Sequence, residues 1–113
     1  MICQNNYGQN MPSFAKTIRD LRLKQNVPLR VVAAAVEIDS TLLSRLELGE
    51  RFPTDDQIKR FADYFQLPLR ELTAQVIADR IIASYGAEEV TVRAAEMVRE
   101  RLSRYDNEKD HNA

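Results

Sequence analysis

The sequence predicts an all-α fold of six helices, and three observations predict it. Only three Gly and four Pro interrupt 113 residues. No stretch shows the strict apolar/polar alternation of a half-buried strand. Between the marks Pro12, Pro28, Gly49, Pro53, Pro68 and Gly86, apolar residues recur three or four apart, the spacing of one helix face.

Each element has its own signals. Residues 1–12 are polar, rich in Asn and Gln and without a charged side chain, and are expected to form a flexible arm. Ser13 is a suitable N-cap for a first helix from Phe14 to about Asn26, with Phe14, Ile18 and Leu21 on one stripe. Pro28 opens a short second helix, Leu29 to Val36, whose Ala33–Ala34–Ala35 run would let another helix approach closely. Asp39 caps a third helix, Ser40 to Leu48, and Gly49 stands just past it, where a left-handed backbone is usual. Thr54 and Gln57 have the spacing of a capping box for a fourth helix reaching about Phe65. A fifth runs from near Pro68 through Leu72, Val76, Ile77, Ile81 and Tyr85 to Gly86. A sixth spans about Glu88 to Tyr105, and residues 106–113 are expected to be disordered.

Composition excludes several function classes. One cysteine, Cys3, cannot form an internal disulfide, and one histidine, His111, cannot make a metal site with it. Three glycines leave little for a phosphate-cradling loop, and no nucleophile–base pair stands out. The expectation is a chain that is not an enzyme and needs no cofactor and no metal. No apolar run approaches the roughly 20 residues a bilayer span needs, and the first residues lack a secretion signal, so a cytoplasmic protein with no membrane partner is expected.

Two short helices joined by a tight turn, inside a five-helix array, form a helix-turn-helix arrangement. The first helix of such a pair crosses the DNA backbone and holds the second in the major groove. That second helix must present small or polar side chains, and Ser40, Thr41, Ser44 and Arg45 meet the requirement while Leu43 and Leu46 turn inward. Arg45 is the best base reader, because its guanidinium matches the O6 and N7 acceptors of guanine. Ser40 and Thr41 begin the helix, where free backbone N–H groups attract phosphate.

The stretches IRDLRLKQNVPLRVVAAAVEIDSTLLSRLELGERFP and IKRFADYFQLPLREL carry a family resemblance. Phe14–Leu72 resembles the lambda-repressor-like, or xenobiotic-response-element (XRE), family of bacterial and phage helix-turn-helix regulators. The matching positions are Arg22, Val32–Ala33, Ser44, Glu47, Gly49, Pro53 and Phe61–Ala62–Asp63–Tyr64–Phe65. The resemblance implies an internal ion pair between Arg22 and Glu47, base contacts from Ser40, Thr41, Ser44 and Arg45, and phosphate contacts from Arg22, Arg30 and Arg51. Lys16 and Arg19 join the phosphate set because they lie on the basic first helix. The chain departs from the family in three ways. Glu37 stands where the turn favours Gly, so it would adopt a left-handed backbone at a cost of order 1 kcal/mol. Leu29 replaces a phosphate-gripping Gln, and Leu42 and Leu48 are more apolar than a groove-facing surface usually is. A narrower likeness, in PLRVVAAAVEID and the helices after the fifth, is to small regulators encoded beside restriction–modification methyltransferases.

The formal net charge of −1 is unusual for a DNA binder, but it is unevenly distributed. Residues 14–30 carry Lys16, Arg19, Arg22, Lys24 and Arg30 against Asp20 alone, while residues 73–113 are net acidic. A weakly charged monomer reading a few base pairs needs a partner, and the expected partner is a second copy on a palindromic operator. Thr91, Ala95, Val98, Leu102 and Tyr105 have the 4-3-4-3 spacing of a coiled-coil seam. Glu89/Arg93 and Glu100/Arg104 fall at i,i+4 beside it. Val76, Ile77, Ile81 and Tyr85 of the fifth helix are expected to complete the dimer interface. The domain organisation is thus arm 1–12, DNA-binding domain 13–72, dimerising extension 73–105 and tail 106–113. The function expected is a homodimeric repressor binding double-stranded DNA. The alternative is an antitoxin-like module that holds a protein partner through its last helices and autoregulates its operon.

Overall fold

The computed structural model describes residues 13–112, with side chains described as far as Tyr105. The expected arm at residues 1–12 lies outside the described residues. Six helices and no strand occur among them: α1 (Phe14–Lys24), α2 (Leu29–Ala35), α3 (Ser40–Glu47), α4 (Asp55–Phe65), α5 (Leu69–Tyr85) and α6 (Glu89–Asn112). The chain divides into two compact units, the first ending at Arg80 and the second beginning at Ile81.

Local chemistry fixes the helix starts. The Ser13 hydroxyl accepts from the Lys16 N–H, and the Asp39 carboxylate accepts from the Leu42 N–H at 2.7 Å. Thr54 and Gln57 form the full reciprocal capping box, at 3.2 and 2.9 Å. Pro28 stands at the N-cap of α2, in extended backbone, where its fixed φ suits the entrance and its missing N–H costs nothing.

The helix ends share one device. Asn26, Glu37, Gly49 and Gln66 all have positive φ, between 57° and 77°, each one or two residues past α1, α2, α3 and α4 in turn. The residue after each donates its N–H back into the helix: Val27 to Arg22, Ile38 to Ala33, Glu50 to Arg45 and Leu67 to Ala62, at 2.9–3.1 Å. This closure satisfies the last carbonyls and reverses the chain sharply. Val27, Ile38 and Leu67 then pack against the core, so the turn and the hydrophobic cluster hold each other. Three of the four left-handed residues are not glycine, and the strain is tolerated because the following apolar residue is anchored.

The first unit closes over one core. Ile18 of α1, Val32 of α2, Val36 just after it, Leu43 and Leu46 of α3, Phe61 of α4 and Leu72 of α5 are at most 2% exposed. The Phe14 ring meets Phe61 edge-on at 5.4 Å. Of the alanine run only Ala33 is buried, and Ala34 and Ala35 face outward. The unit also takes in α5 as far as Arg80 instead of stopping at Leu72. Val76 lies in the core, and Asp79 Oδ2 accepts from the Phe14 N–H at 2.9 Å, capping α1 from 65 residues away. The Arg80 guanidinium lies 4.9 Å from the centre of the Phe52 ring, over the loop that follows α3.

In the second unit, α6 continues to Asn112, into the segment expected to be disordered. No Pro or Gly interrupts residues 106–112, and extending a formed helix costs far less than starting one. Arg93 pairs with Glu96 at 3.4 Å rather than with Glu89, since on an exposed helix face both are within reach and neither contributes much.

Two measurements test these assignments. Replacing Glu37 with Gly is expected to stabilise the protein by about 0.5–1 kcal/mol in urea titration, by removing left-handed strain; destabilisation would show that Glu37 is held there without cost. Burial raises the Asp79 pKa above the ordinary carboxylate value, and the Phe14 N–H only partly opposes this. The native state therefore holds the Asp79 proton more tightly than the unfolded chain, and its stabilising effect is lost as pH rises through the native pKa. Relative to Asp79→Asn, the parent protein should lose stability as pH rises from about 4 toward neutrality; a constant difference would rule out the shift.

Candidate nucleic-acid interface

The tight unit α2–turn–α3 is the element on which recognition chemistry can be built. Its turn, Val36 to Asp39, combines the left-handed Glu37, the inward Ile38 and the Asp39 cap. One side of α3 is sealed: Leu43 and Leu46 are fully buried and Glu47 is 8% exposed. On the other side, Ser40, Ser44 and Leu48 form one i,i+4 row and Thr41 with Arg45 the next. Thr41 and Arg45 are exposed and the two serines half-buried. The four residues expected to meet bases therefore share one outward face of one helix. Leu48 stands on that same face at 63% exposure, so it is part of the presented surface. Leu42, in contrast, is half-buried and packs against the core.

The pairing of Arg22 with Glu47 fixes the pose of α3. Arg22 Nε donates to Glu47 Oε2 at 2.7 Å and Nη2 donates to Oε1 at 2.9 Å, a bidentate fork between α1 and α3. Arg22 Nη1 also donates to the Val27 carbonyl at 3.1 Å, tying in the turn between α1 and α2. The hydrogen bonds to Glu47 push the Arg22 pKa up, with burial opposing and the Glu47 charge assisting. With 14% of its side chain exposed and all three nitrogens engaged, Arg22 is committed to the fold, which leaves little of it for a phosphate.

The other expected phosphate ligands have different surroundings. Arg19, Arg30 and Arg51 are exposed, on α1, at the start of α2 and just after α3. Lys16 is exposed but bonded to Asp20 at 2.7 Å, one turn along α1. At the start of α3 the Asp39 carboxylate already occupies the Leu42 N–H. An anion arriving there meets a negative charge, so the helix start is a weaker phosphate site than Ser40 and Thr41 alone suggest. Phe52, Asp79 and Arg80 escape a reading of the sequence because their partners lie far away in the chain.

Of the residues expected at a dimer interface, Val76 is 2% exposed and belongs to the core. It faces the same side as Leu72, one turn earlier, and cannot meet a second chain without unfolding the first unit. Ile77, Ile81, Tyr85, Val98, Leu102 and Tyr105 are exposed large hydrophobics, and Ala95 is exposed as well.

A family model described as a helix-turn-helix domain matches residues 13–76, more than half of the chain. The protein belongs to that helix-turn-helix family. The match begins at the Ser13 cap and ends at the core residue Val76, so the family unit and the first compact unit nearly coincide. No curated protein and no solved structure matches the chain. Among the described residues no group of His, Cys, Asp and Glu side chains could hold a metal, and no helix is long and apolar enough to cross a membrane.

Removing Glu47 leaves Arg22 with an uncompensated charge between α1 and α3. Glu47→Ala is expected to cost about 3 kcal/mol in chemical denaturation. An apolar exchange of both partners should cost less than either single change, and equal costs for single and double variants would argue against a coupled pair.

Proposed function

We propose that the protein is an XRE-type transcription regulator that binds double-stranded DNA sequence-specifically, as a homodimer on a palindromic operator, and acts as a repressor by occupying it. The observation carrying this reading is the outward face of α3, with Ser40, Thr41, Ser44 and Arg45 together on a helix locked from behind by Arg22–Glu47. In this reading Arg45 reads guanine, and the hydroxyls of Ser40, Thr41 and Ser44 adapt to either donors or acceptors on neighbouring bases. Arg19, Arg30 and Arg51, together with Lys16 once freed from Asp20, hold the phosphates and set the register. The protein works where its DNA is, in the cytoplasm.

Dimerisation supplies what one short helix lacks. Two recognition helices about 34–36 Å apart read two half-sites one helical turn apart. The exposed Ile81, Tyr85, Ala95, Val98, Leu102 and Tyr105 are the residues proposed to join the copies.

Selection from random duplex DNA, with the full-length protein beside Arg45→Ala, tests the assignment. The expected product is a palindrome with half-sites about ten base pairs apart. The variant should lose roughly 1–3 kcal/mol of affinity and its preference at one position per half-site. An unchanged site and affinity for Arg45→Ala would remove α3 from the interface. Arg19→Ala and Arg30→Ala should instead weaken binding to all sequences alike and lower the salt slope by about one for each phosphate left without its cation; sequence-dependent losses would make them base readers.

A further inference from the structure

Leu48 follows α3 as its C-cap and keeps helical backbone, with φ −87° and ψ −5° and its N–H donating to the Ser44 carbonyl at 3.0 Å. Successive residues of a helix turn by about 100°. Counted from Ser40, Ser44 lies about 40° round the helix, Leu48 about 80°, Thr41 about 100° and Arg45 about 140°. The sealed side, with Leu46, Leu43 and Glu47, spans about 240° to 340°. Leu48 therefore stands near the middle of the outward arc, at 63% exposure. Exposure alone means little for a single leucine, and it is this angular position that matters.

The backbone is held on both sides of this leucine. Gly49 takes the left-handed turn immediately after it, and the Glu50 N–H returns to the Arg45 carbonyl at 2.9 Å. The three other left-handed turns set an apolar residue against the core, Val27, Ile38 and Leu67. At Gly49 the residue that follows is Glu50, and the leucine that precedes it stays on the outside. Base edges in the major groove display hydrogen-bond donors and acceptors and one apolar group, the C5 methyl of thymine. Leucine has no donor or acceptor to offer, so against a G·C pair it would strip water from polar edges without replacing the lost hydrogen bonds. Against a thymine methyl it gains by burial. Three residues separate Leu48 from Arg45, a rise of about 4.5 Å, compared with about 3.4 Å per base pair.

We infer that Leu48 is a specificity-determining residue that selects thymine through its C5 methyl, one or two base pairs from the guanine met by Arg45. The inference rests on the DNA-binding reading above and adds a base preference to it. Hydroxyls and a guanidinium read polar edges on either side, and the leucine between them reads the one apolar feature of the groove.

The duplex selected by the full-length protein, remade with deoxyuridine at each thymine in turn, tests this by fluorescence anisotropy. Deoxyuridine pairs as thymine does and lacks only the methyl. At one thymine per half-site, one or two pairs from the position that Arg45→Ala loses, the exchange should weaken binding about fourfold, the equivalent of one buried methyl group. Leu48→Ala should bind the two duplexes equally, and so should Leu48→Asn, which keeps a side chain of similar length. Leu48 lies outside the core, so both variants should keep the urea midpoint of the parent. No thymine preference at that position, no loss with deoxyuridine, or a full methyl effect retained by both variants would each overturn the inference. If Arg45→Ala still loses its guanine in those cases, the DNA-binding reading stands. Failure to select any sequence would overturn both. Loss of a dimer by Leu48→Ala in sedimentation, with no methyl effect in the parent, would place Leu48 between two copies and overturn it as well.

Discussion

The fork between Arg22 and Glu47 is the constraint on which the outward face of α3 depends. A helix of eight residues, α3 (Ser40–Glu47), is too short to hold its own orientation. Leu43 and Leu46 bury one side of it, but apolar contacts alone permit small rotations. Two parallel hydrogen bonds of 2.7 and 2.9 Å to α1 forbid them, because a bidentate pair is directional. The third bond, to the Val27 carbonyl, extends the same control to the turn entering α2. A single guanidinium therefore sets the relation among α1, α2 and α3. Replacing the pair with apolar residues of similar volume could preserve stability and still lose this register.

The turns do the complementary work of keeping the helices short. Each of the first four helices stops at a left-handed residue whose successor returns an N–H to the helix. Only Gly49 uses the residue that adopts this geometry at no cost. At Asn26, Glu37 and Gln66 the cost is offset by packing the half-buried Val27, Ile38 and Leu67 against the core immediately afterwards. Two of these turns, Asn26–Val27–Pro28 and Gln66–Leu67–Pro68, repeat one order: left-handed residue, apolar anchor, proline. The proline then starts the next helix, so three residues end one element and begin another.

The parts of this architecture that are legible in the sequence are those with local causes. Caps at Ser13, Asp39 and Thr54, the stop at Gly49 and the inward Leu43 and Leu46 follow from residues within a turn of each other. The ion pair is legible only through family resemblance, since 25 residues separate Arg22 from Glu47. Long-range contacts without such a precedent are not legible. Asp79 resembles any acid on a helix until Phe14 is brought to it, and Arg80 resembles a solvated charge until Phe52 lies under it. Val76, expected at a dimer interface, lies in the core for a related reason. On α5 apolar residues lie on two sides, and spacing alone does not say which side meets the core.

That two-sidedness of α5 explains how one helix serves both units. Leu72 and Val76 face the core, and Asp79 on the same side caps α1. Ile77 and Ile81, one turn apart, remain exposed on the other side, and Tyr85 follows in the same row at 73% exposure. A helix apolar around most of its circumference is stable in water only when both sides are covered. The first unit covers one, and the expectation of a second chain comes from the other.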